Sequence, residues 1–183
     1  AASVLPTYIC ESVLLMFGVG AFVSIIGTGT AWLVAMCEFP GSRFFAWALI
    51  LPMAMPAYVV AYVYTDFLEF AGPVQTFLRM LFNWTTSSDY WFPQIRSPGG
   101  AITVLSLVLY PYVYALTRAS FLEQSVSTLE AGRVLGLTGT QNFFYTSLPL
   151  ARPAIVVGVT LCLMEVLSDF GTVGYVAFRT LTV

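Results

Sequence analysis

The residue types that this 183-residue chain lacks restrict its function more than those it has. It contains no lysine and no histidine, and all seven of its basic residues are arginines. Because a phosphate-binding P-loop requires its lysine, the chain cannot by itself be a P-loop ATPase. The absence of histidine also excludes histidine metal ligands, histidine general bases and Ser-His triads.

Charged residues of any kind are scarce. They make up 9 % of the chain, whereas a soluble domain carries roughly a quarter. Hydrophobic residues make up 58 % and aromatic residues 16 %. Such a chain cannot cover a water-facing surface, so we predict an integral membrane protein whose main surroundings are a lipid bilayer. The net charge is −2 and there is no basic tract, so no nucleic-acid partner is expected.

Cysteine is also rare. Cys10, Cys37 and Cys162 lie in or beside apolar segments and show no CxxC spacing. We interpret them as small residues that fill the core rather than as a disulfide or a metal-binding set. No metal site is assigned to this chain.

Four uncharged or nearly uncharged stretches are long enough to cross a bilayer. They predict an all-α, polytopic membrane bundle that forms a single domain, with spans over residues 13–37, 44–65, 97–117 and 153–167. Pro52 and Pro56 lie inside the second span, where two prolines leave backbone carbonyls unpaired. We therefore expect a kink there that faces protein or a water-lined cavity.

A long segment, residues 66–96, separates the second and third spans. Its apolar residues recur at helical spacing and predict an amphipathic helix in the membrane interface; they are Phe70, Val74, Phe77, Leu78 and Leu81. The arginines near span ends favour a cytoplasmic location for residues 38–43 and 118–152, and an external one for residues 66–96. The cytoplasmic set is Arg43, Arg118, Arg133 and Arg152, against Arg79, Arg96 and Arg179 outside.

The 118–152 loop has the pattern of two short helices joined by a tight turn. Ser127 to Glu130 fits a capping box at the start of the first helix, and Gly136 lies where that helix would need a left-handed residue. Thr138 to Gln141 fits a second capping box. Pro149 is expected to stop the second helix, and Pro153 to occupy the first turn of the next span.

On these signals alone, the loop could be a surface hairpin that merely connects two spans. Its spacing, however, is "EAG", three residues, Gly136, nine residues, then "TSLP". This resembles the EAA loop of ABC importer permeases. Gly132 replaces the second alanine of that pattern and Thr146 replaces an isoleucine. The resemblance implies that this loop couples the spans to an ATPase through Glu130, Ala131, Gly132, Gly136, Leu148 and Pro149.

Longer stretches, such as "LPMAMPAYVVAYVYTDFLEFAGPVQ" and "LPLARPAIVVGVTLCLMEVLSDFGTVGY", resemble the first half of ferric-iron ABC permeases. In that family two similar halves are fused, so the chain is expected to be a fragment of a longer one. The implied partners are an ABC ATPase dimer that binds ATP and Mg²⁺, a periplasmic or lipoprotein solute-binding protein, and a second permease half, fused or separate. The implied location is the bacterial inner membrane and the implied cargo is ferric iron. Thiamine, a polyamine or another small solute remains an alternative.

Glu165 and Asp169 are spaced i, i+4 on the fourth span. Ionisable residues inside spans usually face a bundle interior or a wet pathway, which makes this pair a candidate part of the translocation pathway. Alternatively, Glu165 pairs with a serine or tyrosine of a neighbouring helix and Asp169 caps the span. Two rival functions stay open: an ion-coupled secondary carrier, and a membrane-embedded enzyme that uses the pair as acids.

Overall fold

The computed structural model describes residues 5–84, 89, 90, 92 and 97–168, without the side chains of residues 5–8, 57, 126 and 129. These ranges contain helices and no strand, so the predicted all-α fold class is confirmed. The helices are α1 (Leu5–Met36), α2 (Ser42–Ala48), α3 (Ala57–Leu68), α4 (Pro73–Phe82), α5 (Pro98–Glu123), α6 (Val126–Val134), α7 (Gly139–Asn142) and α8 (Leu148–Ser168). A 3₁₀ turn (Leu51–Ala54) precedes α3, and a π turn (Phe143–Ser147) joins α7 to α8.

Three helical segments of the described residues are long and apolar enough to cross a membrane. They are Ile9–Met36, Pro98–Glu123 and the continuous segment Gly139–Ser168. The second predicted span is a bent pair, Ser42–Ala54 and Tyr58–Phe82, whose halves differ in direction by 104°. The structure therefore holds four spans if the bent pair counts as one, in agreement with the sequence.

The two prolines of the second span account for its break. Met55 precedes Pro56 and has extended backbone angles, φ −115° and ψ 148°. The proline ring disfavours the α region for the residue before it, so the helical path stops at Met55 and restarts after Pro56. Pro52 lies in the 3₁₀ turn on the other side of the break. The predicted kink is confirmed.

Helix α5 is the central helix of the bundle. Within its most apolar 18 residues 61 % are buried, compared with 22 % for α1 and for the segment Gly139–Ser168. Its buried side chains lie on all sides, as expected for a helix surrounded by others; they include Val104, Leu105, Val108, Leu109, Val113 and Tyr114. The outer helices instead expose apolar side chains such as Phe17, Ile25 and Val156. Such faces suit lipid.

Glycines allow the three long helices to approach closely. A Cβ added at Gly27 of α1 would lie 2.7 Å from the Cβ of Val113, and one at Gly158 of α8 would lie 2.8 Å from its Cα. Val113 of α5 therefore lies between the two glycines. Small residues at such crossings drive helix association in membranes, where the hydrophobic effect contributes little.

The same contacts give the direction of each helix. Gly18 lies against Ile102 and Gly27 lies against Val113, so α1 and α5 run parallel. Gly20 lies near Leu163, further along α8 than Gly158, so α8 runs antiparallel to both. The segments that follow α1 and α5 therefore lie at the same end of the bundle. This agrees with the predicted placement of residues 38–43 and 118–152 on one side of the membrane.

Two predicted boundaries need correction. The third span continues as helix to Glu123, beyond residue 117, because hydropathy marks membrane depth rather than the end of a helix. Pro149 does not stop a helix; it lies in the first turn of α8, and Pro153 lies inside that helix. The π turn explains why Pro149 does not end the helix. The Leu148 N–H donates to the Phe143 carbonyl five residues back, so α8 begins at Leu148 and Pro149 lies in its first turn, where proline is tolerated.

The predicted amphipathic helix exists as α4, although it starts at Pro73 rather than near Phe70. Its apolar face is exposed, with Phe77, Met80 and Leu81 all more than 60 % accessible. Arg79 lies over the Phe70 ring, 4.1 Å from its centroid, and donates to the Phe70 carbonyl at 2.8 Å. These contacts hold α4 to the end of α3. Its place in the membrane interface stays a prediction.

Candidate functional site

The candidate site begins with the helical hairpin of residues 126–147, which contains α6, the turn at Gly136, α7 and the π turn. Ser125 caps α6, and its side chain accepts a hydrogen bond from the Thr128 N–H at 3.3 Å. The predicted capping box from Ser127 to Glu130 is therefore wrong. Gln124 and Ser125 both have extended backbones, so the helix starts at Val126 and Glu130 lies inside it. Capping cannot explain Glu130, whose side chain is exposed.

Gly136 ends α6 in the left-handed conformation, with φ +83°. The Leu137 N–H donates to the Gly132 carbonyl at 3.0 Å, and the Gly136 N–H donates to the Arg133 carbonyl at 2.9 Å. This pair of bonds is the Schellman motif that closes helices before a glycine. A Cβ at residue 136 would meet nothing within 4 Å, so the backbone angle alone calls for glycine. The prediction for this residue is confirmed.

The predicted second capping box is confirmed at the start of α7. The Thr138 N–H donates to the Gln141 side chain at 2.9 Å, and the Gln141 N–H donates to the Thr138 hydroxyl at 3.4 Å. The chain between the two helices is thus fixed by backbone bonds on one side and a reciprocal cap on the other. The hairpin is a defined structure rather than a loose connection.

The residues expected to couple the loop to an ATPase occupy different surroundings. Glu130 and Ala131 are exposed, whereas Gly132 is buried against α7. Leu148 and Pro149 are half-buried at the start of α8, beyond the hairpin. Only the first two therefore present side chains to solvent, and the role of the set in coupling stays a prediction.

Among the described side chains of the hairpin, four large apolar ones are exposed, and three of them, Val134, Leu135 and Tyr145, were not singled out from the sequence. Val134 and Leu135, beside the Gly136 turn, are 86 % and 81 % accessible. Phe144 and Tyr145, in the π turn, are also largely exposed. A usable signal was present, since Val134 and Leu135 are apolar residues directly before a helix-ending glycine. Four such side chains on a short hairpin are typical of a surface that another protein covers.

Phe143 anchors the hairpin to the bundle. Its ring lies 4.8 Å from that of Trp32 on α1 and 6.3 Å from that of Phe121 on α5, measured between centroids. The Gln124 side chain also donates to the Ser147 carbonyl at 2.9 Å. Because the π turn continues directly into α8, a displacement of the hairpin would act on α1, α5 and α8 together.

The second part of the site is a cavity of about 340 Å³ beside the break in the second span. Glu165 of α8 lines it, together with Tyr112 of α5. The remaining lining residues are Pro52, Met53, Ala54, Met55, Pro56, Val108 and Leu109. Glu165 is thus the one ionisable carboxyl group in a lining that, among the described residues, holds no basic side chain.

Glu165 makes no side-chain hydrogen bond within the described part of the chain, and its carbonyl accepts one from Ser168. Asp169, its predicted companion, lies outside the described residues. Among the described residues no group of three or more metal-ligating side chains comes together. Within the described part of the chain, the cavity therefore offers a single acidic group and not a metal cage. Of the cysteines, Cys162 is buried as expected, whereas Cys10 is exposed.

Residues 26–183 match the family model described as "Binding-protein-dependent transport system inner membrane component". The chain belongs to this family. As a member it is an inner-membrane component of a transport system and not an enzyme. The match includes the hairpin, the cavity and all of α5 and α8.

Several relatives are permease proteins named for different substrates. The molybdenum transport system permease protein ModB of Escherichia coli (strain K12) is 29 % identical over 143 residues, which cover 77 % of this chain and 58 % of ModB. The sulfate transport system permease protein CysW of the same strain is 28 % identical, covering 84 % of this chain and 50 % of CysW. The Fe(3+)-transport system permease protein FbpB 2 of Haemophilus influenzae is 26 % identical, covering 94 % of this chain and 29 % of that protein.

This transport-system component therefore spans between about a third and three fifths of the length of these relatives. A crystal structure of an amino acid ABC transporter also matches, with a TM-score of 0.60 and 18 % identity, over 99 % of this chain and 77 % of that chain. At this identity the likeness shows the fold. The predicted membership of the permease family is confirmed, and these comparisons do not single out ferric iron.

Proposed function

We propose that the chain is the translocation subunit, or half of one, of a binding-protein-dependent ABC importer. The observation that carries this proposal is the hairpin of residues 126–147. It is fixed by the Gly136 turn and the Thr138 cap, four of its described apolar side chains are exposed, and it contacts three spans. A mere connection between spans would need none of these features. Together with family membership, they support a docking element for an ATPase.

The proposed mechanism follows from how the hairpin is attached. An ATPase subunit, which binds ATP and Mg²⁺, grips the hairpin through Glu130 and the exposed apolar side chains. Closure of the ATPase dimer moves the hairpin, and Phe143 transmits the movement to Trp32 and Phe121. Because α7, the π turn and α8 are continuous, α8 moves with it. The spans then alternate between inward-open and outward-open arrangements.

The cavity beside Glu165 is the proposed segment of the pathway in this half. It lies at the break of the second span, and broken helices in transporters commonly line substrate routes. Its lining supports a cationic cargo, since an ionised carboxylate attracts a cation and repels an oxyanion in a low-dielectric setting. Ferric iron is such a cation. The relative named for Fe(3+) transport aligns with 94 % of this chain.

An oxyanion is the second candidate cargo. The molybdenum and sulfate permease proteins are 29 % and 28 % identical to this chain, slightly more than the Fe(3+) relative. Against an oxyanion stands the absence of any basic residue in the described cavity lining. The remaining partners in the proposal are a second permease half and a solute-binding protein on the side predicted to be external, to which Asp66 and Glu69 are assigned.

The test uses the complete transporter with its ATPase and binding protein, reconstituted into liposomes. Uptake of labelled ferric iron, molybdate and sulfate is measured with and without ATP. ATP-dependent accumulation of ferric iron alone is the expected result. ATP-dependent accumulation of molybdate or sulfate would show that the proposed cargo is wrong but that the chain is part of an importer. Uptake driven by an ion gradient without the ATPase would favour a secondary carrier.

A further inference from the structure

Gly132 of α6 and Asn142, the last residue of α7, meet inside the hairpin. Both are buried, with Asn142 6 % exposed. A Cβ added at Gly132 would lie 2.5 Å from Asn142 Oδ1, 3.0 Å from its Cγ and 3.3 Å from its Nδ2. The Asn142 amide therefore packs against α6 at the one residue of that helix without a side chain, with its oxygen closest to Gly132.

We propose that the contact between Gly132 and the Asn142 amide sets the crossing of the two hairpin helices, which makes Asn142 a positioning residue for coupling. The inference that this crossing matters for coupling rests on the proposed function. The Schellman turn and the capping box fix the chain between the helices, but they do not determine how α6 packs against α7. The contact between Gly132 and Asn142 determines that packing.

The contact is also linked to the turn itself. The Gly132 carbonyl accepts the hydrogen bond from Leu137 that closes the Schellman motif. A shift of α6 at residue 132 would therefore alter the turn at Gly136 as well. The pair further explains a departure from the EAA pattern, in which an alanine is expected at residue 132. With an asparagine at residue 142, the methyl group of that alanine has no room.

Gly132→Ala should destabilise the hairpin, although a glycine-to-alanine change inside a helix usually stabilises it. Gly132 lies inside a helix and has no positive φ, so replacement by alanine would ordinarily stabilise α6. Here the added methyl group has to displace the Asn142 amide, either by separating the helices or by turning the amide into the neighbouring cavity of about 460 Å³. Both responses remove the contact that sets the crossing. Shortening Asn142 should make room for the methyl group.

The experiment uses the complete transporter in lipid nanodiscs, with the permease carrying Gly132→Ala, Asn142→Ala, or both. Gly139→Ala is the matched control, because Gly139 is also a hairpin glycine and a Cβ there meets nothing within 4 Å. The measurements are the thermal midpoint, the retention of the ATPase subunits, and the number of ATP molecules hydrolysed per cargo molecule. A purely structural role would lower the midpoint without changing that ratio.

Gly132→Ala should lower the midpoint below those of wild type and Gly139→Ala, as expected from overpacking, and should raise the ATP-to-cargo ratio severalfold. The double variant should recover most of the midpoint, because the shortened side chain makes room for the methyl group, but not the ATP-to-cargo ratio, because the Asn142 amide is still absent. Gly139→Ala should behave as wild type. An unchanged or raised midpoint in Gly132→Ala, or additive losses in the double variant, would overturn the inference. If the midpoints show the rescue but wild-type protein accumulates no cargo, the pairing stands and the proposed function fails.

Discussion

The Cα of Val113 lies so close to Gly158 that a Cβ at residue 158 would be 2.8 Å away from it. Val113 also contacts Gly27 of α1, since a Cβ at residue 27 would lie 2.7 Å from the Cβ of Val113 and 3.1 Å from the Tyr110 carbonyl oxygen. Helices α1, α5 and α8 therefore meet at one level of the bundle through backbone and a single valine. Such contacts leave no flexible side chain that could move aside.

Gly158→Ala should therefore destabilise the bundle. The new methyl group meets backbone, and overpacking of this kind costs about 1–3 kcal/mol. The measurement is the thermal midpoint of the purified protein in detergent. Gly29→Ala is the control, since Gly29 also lies in a spanning helix but a methyl group added there would meet nothing within 4 Å. Equal midpoints for both variants would contradict the packing described here.

Phe143→Ala should uncouple the hairpin from the spans. The variant removes the ring contacts with Trp32 and Phe121, and loss of a buried aromatic side chain costs about 3–5 kcal/mol, less where burial is partial as here. ATP hydrolysis by the assembled transporter should continue while cargo uptake falls at least several-fold. Phe17→Ala is the control for the loss of an aromatic ring, because Phe17 lies on α1 outside the hairpin and is 78 % exposed. A Phe143→Ala transporter with normal uptake per ATP would show that movement passes by another route.

Glu165→Gln should lower uptake while assembly stays intact. The amide keeps the shape of the side chain but removes the carboxyl group that the cavity offers to a cation. Initial uptake rates and subunit composition are compared with those of Glu123→Gln, an exposed acid at the end of α5. Normal transport by Glu165→Gln would reduce Glu165 to a structural group and would remove the charge argument for a cationic cargo.

Reporter tags test the orientation of the bundle. Tags fused after Arg43 and after Arg133 should report a cytoplasmic location, and a tag near Ser88 a periplasmic one. The reasons are the arginine distribution and the parallel course of α1 and α5, which brings the two arginine segments to the same end. A cytoplasmic signal from the tag near Ser88 would show that the proposed orientation is wrong. The hairpin would then lie on the external side, where a cytoplasmic ATPase cannot reach it.

Much of the fold could be predicted because its signals are local. Long uncharged runs mark spans, Pro52 and Pro56 mark the break, and Gly136 and Thr138 mark the hairpin turn. The failures arose where one local signal competed with another. Ser125 and Ser127 are both possible N-caps of α6. Because Gln124 and Ser125 have extended backbones, the helix begins at Val126 and Ser125 is the cap.

The candidate site could be predicted only in part, because its contacts join residues far apart in sequence. No spacing rule relates Trp32 to Phe143, or Glu165 to the prolines of the second span. The π turn that lets a helix pass through Pro149 also has no simple sequence signal. Exposure of Val134 and Leu135 depends on where the hairpin lies relative to the bundle, which requires the tertiary structure.

Gly136→Val tests the central claim, that the hairpin is a rigid element gripped by an ATPase. At φ +83° a branched side chain is strained by about 1 kcal/mol or more, although the space around residue 136 is open. The spans do not depend on that turn, so the variant should insert and fold. The measurement is ATP-dependent uptake by the reconstituted transporter together with the amount of ATPase subunit that copurifies, with Gly139→Ala as the unstrained control. The account predicts a steep loss of uptake, with lost subunit or uncoupled hydrolysis, in Gly136→Val alone. Wild-type uptake and full subunit retention in that variant would contradict it.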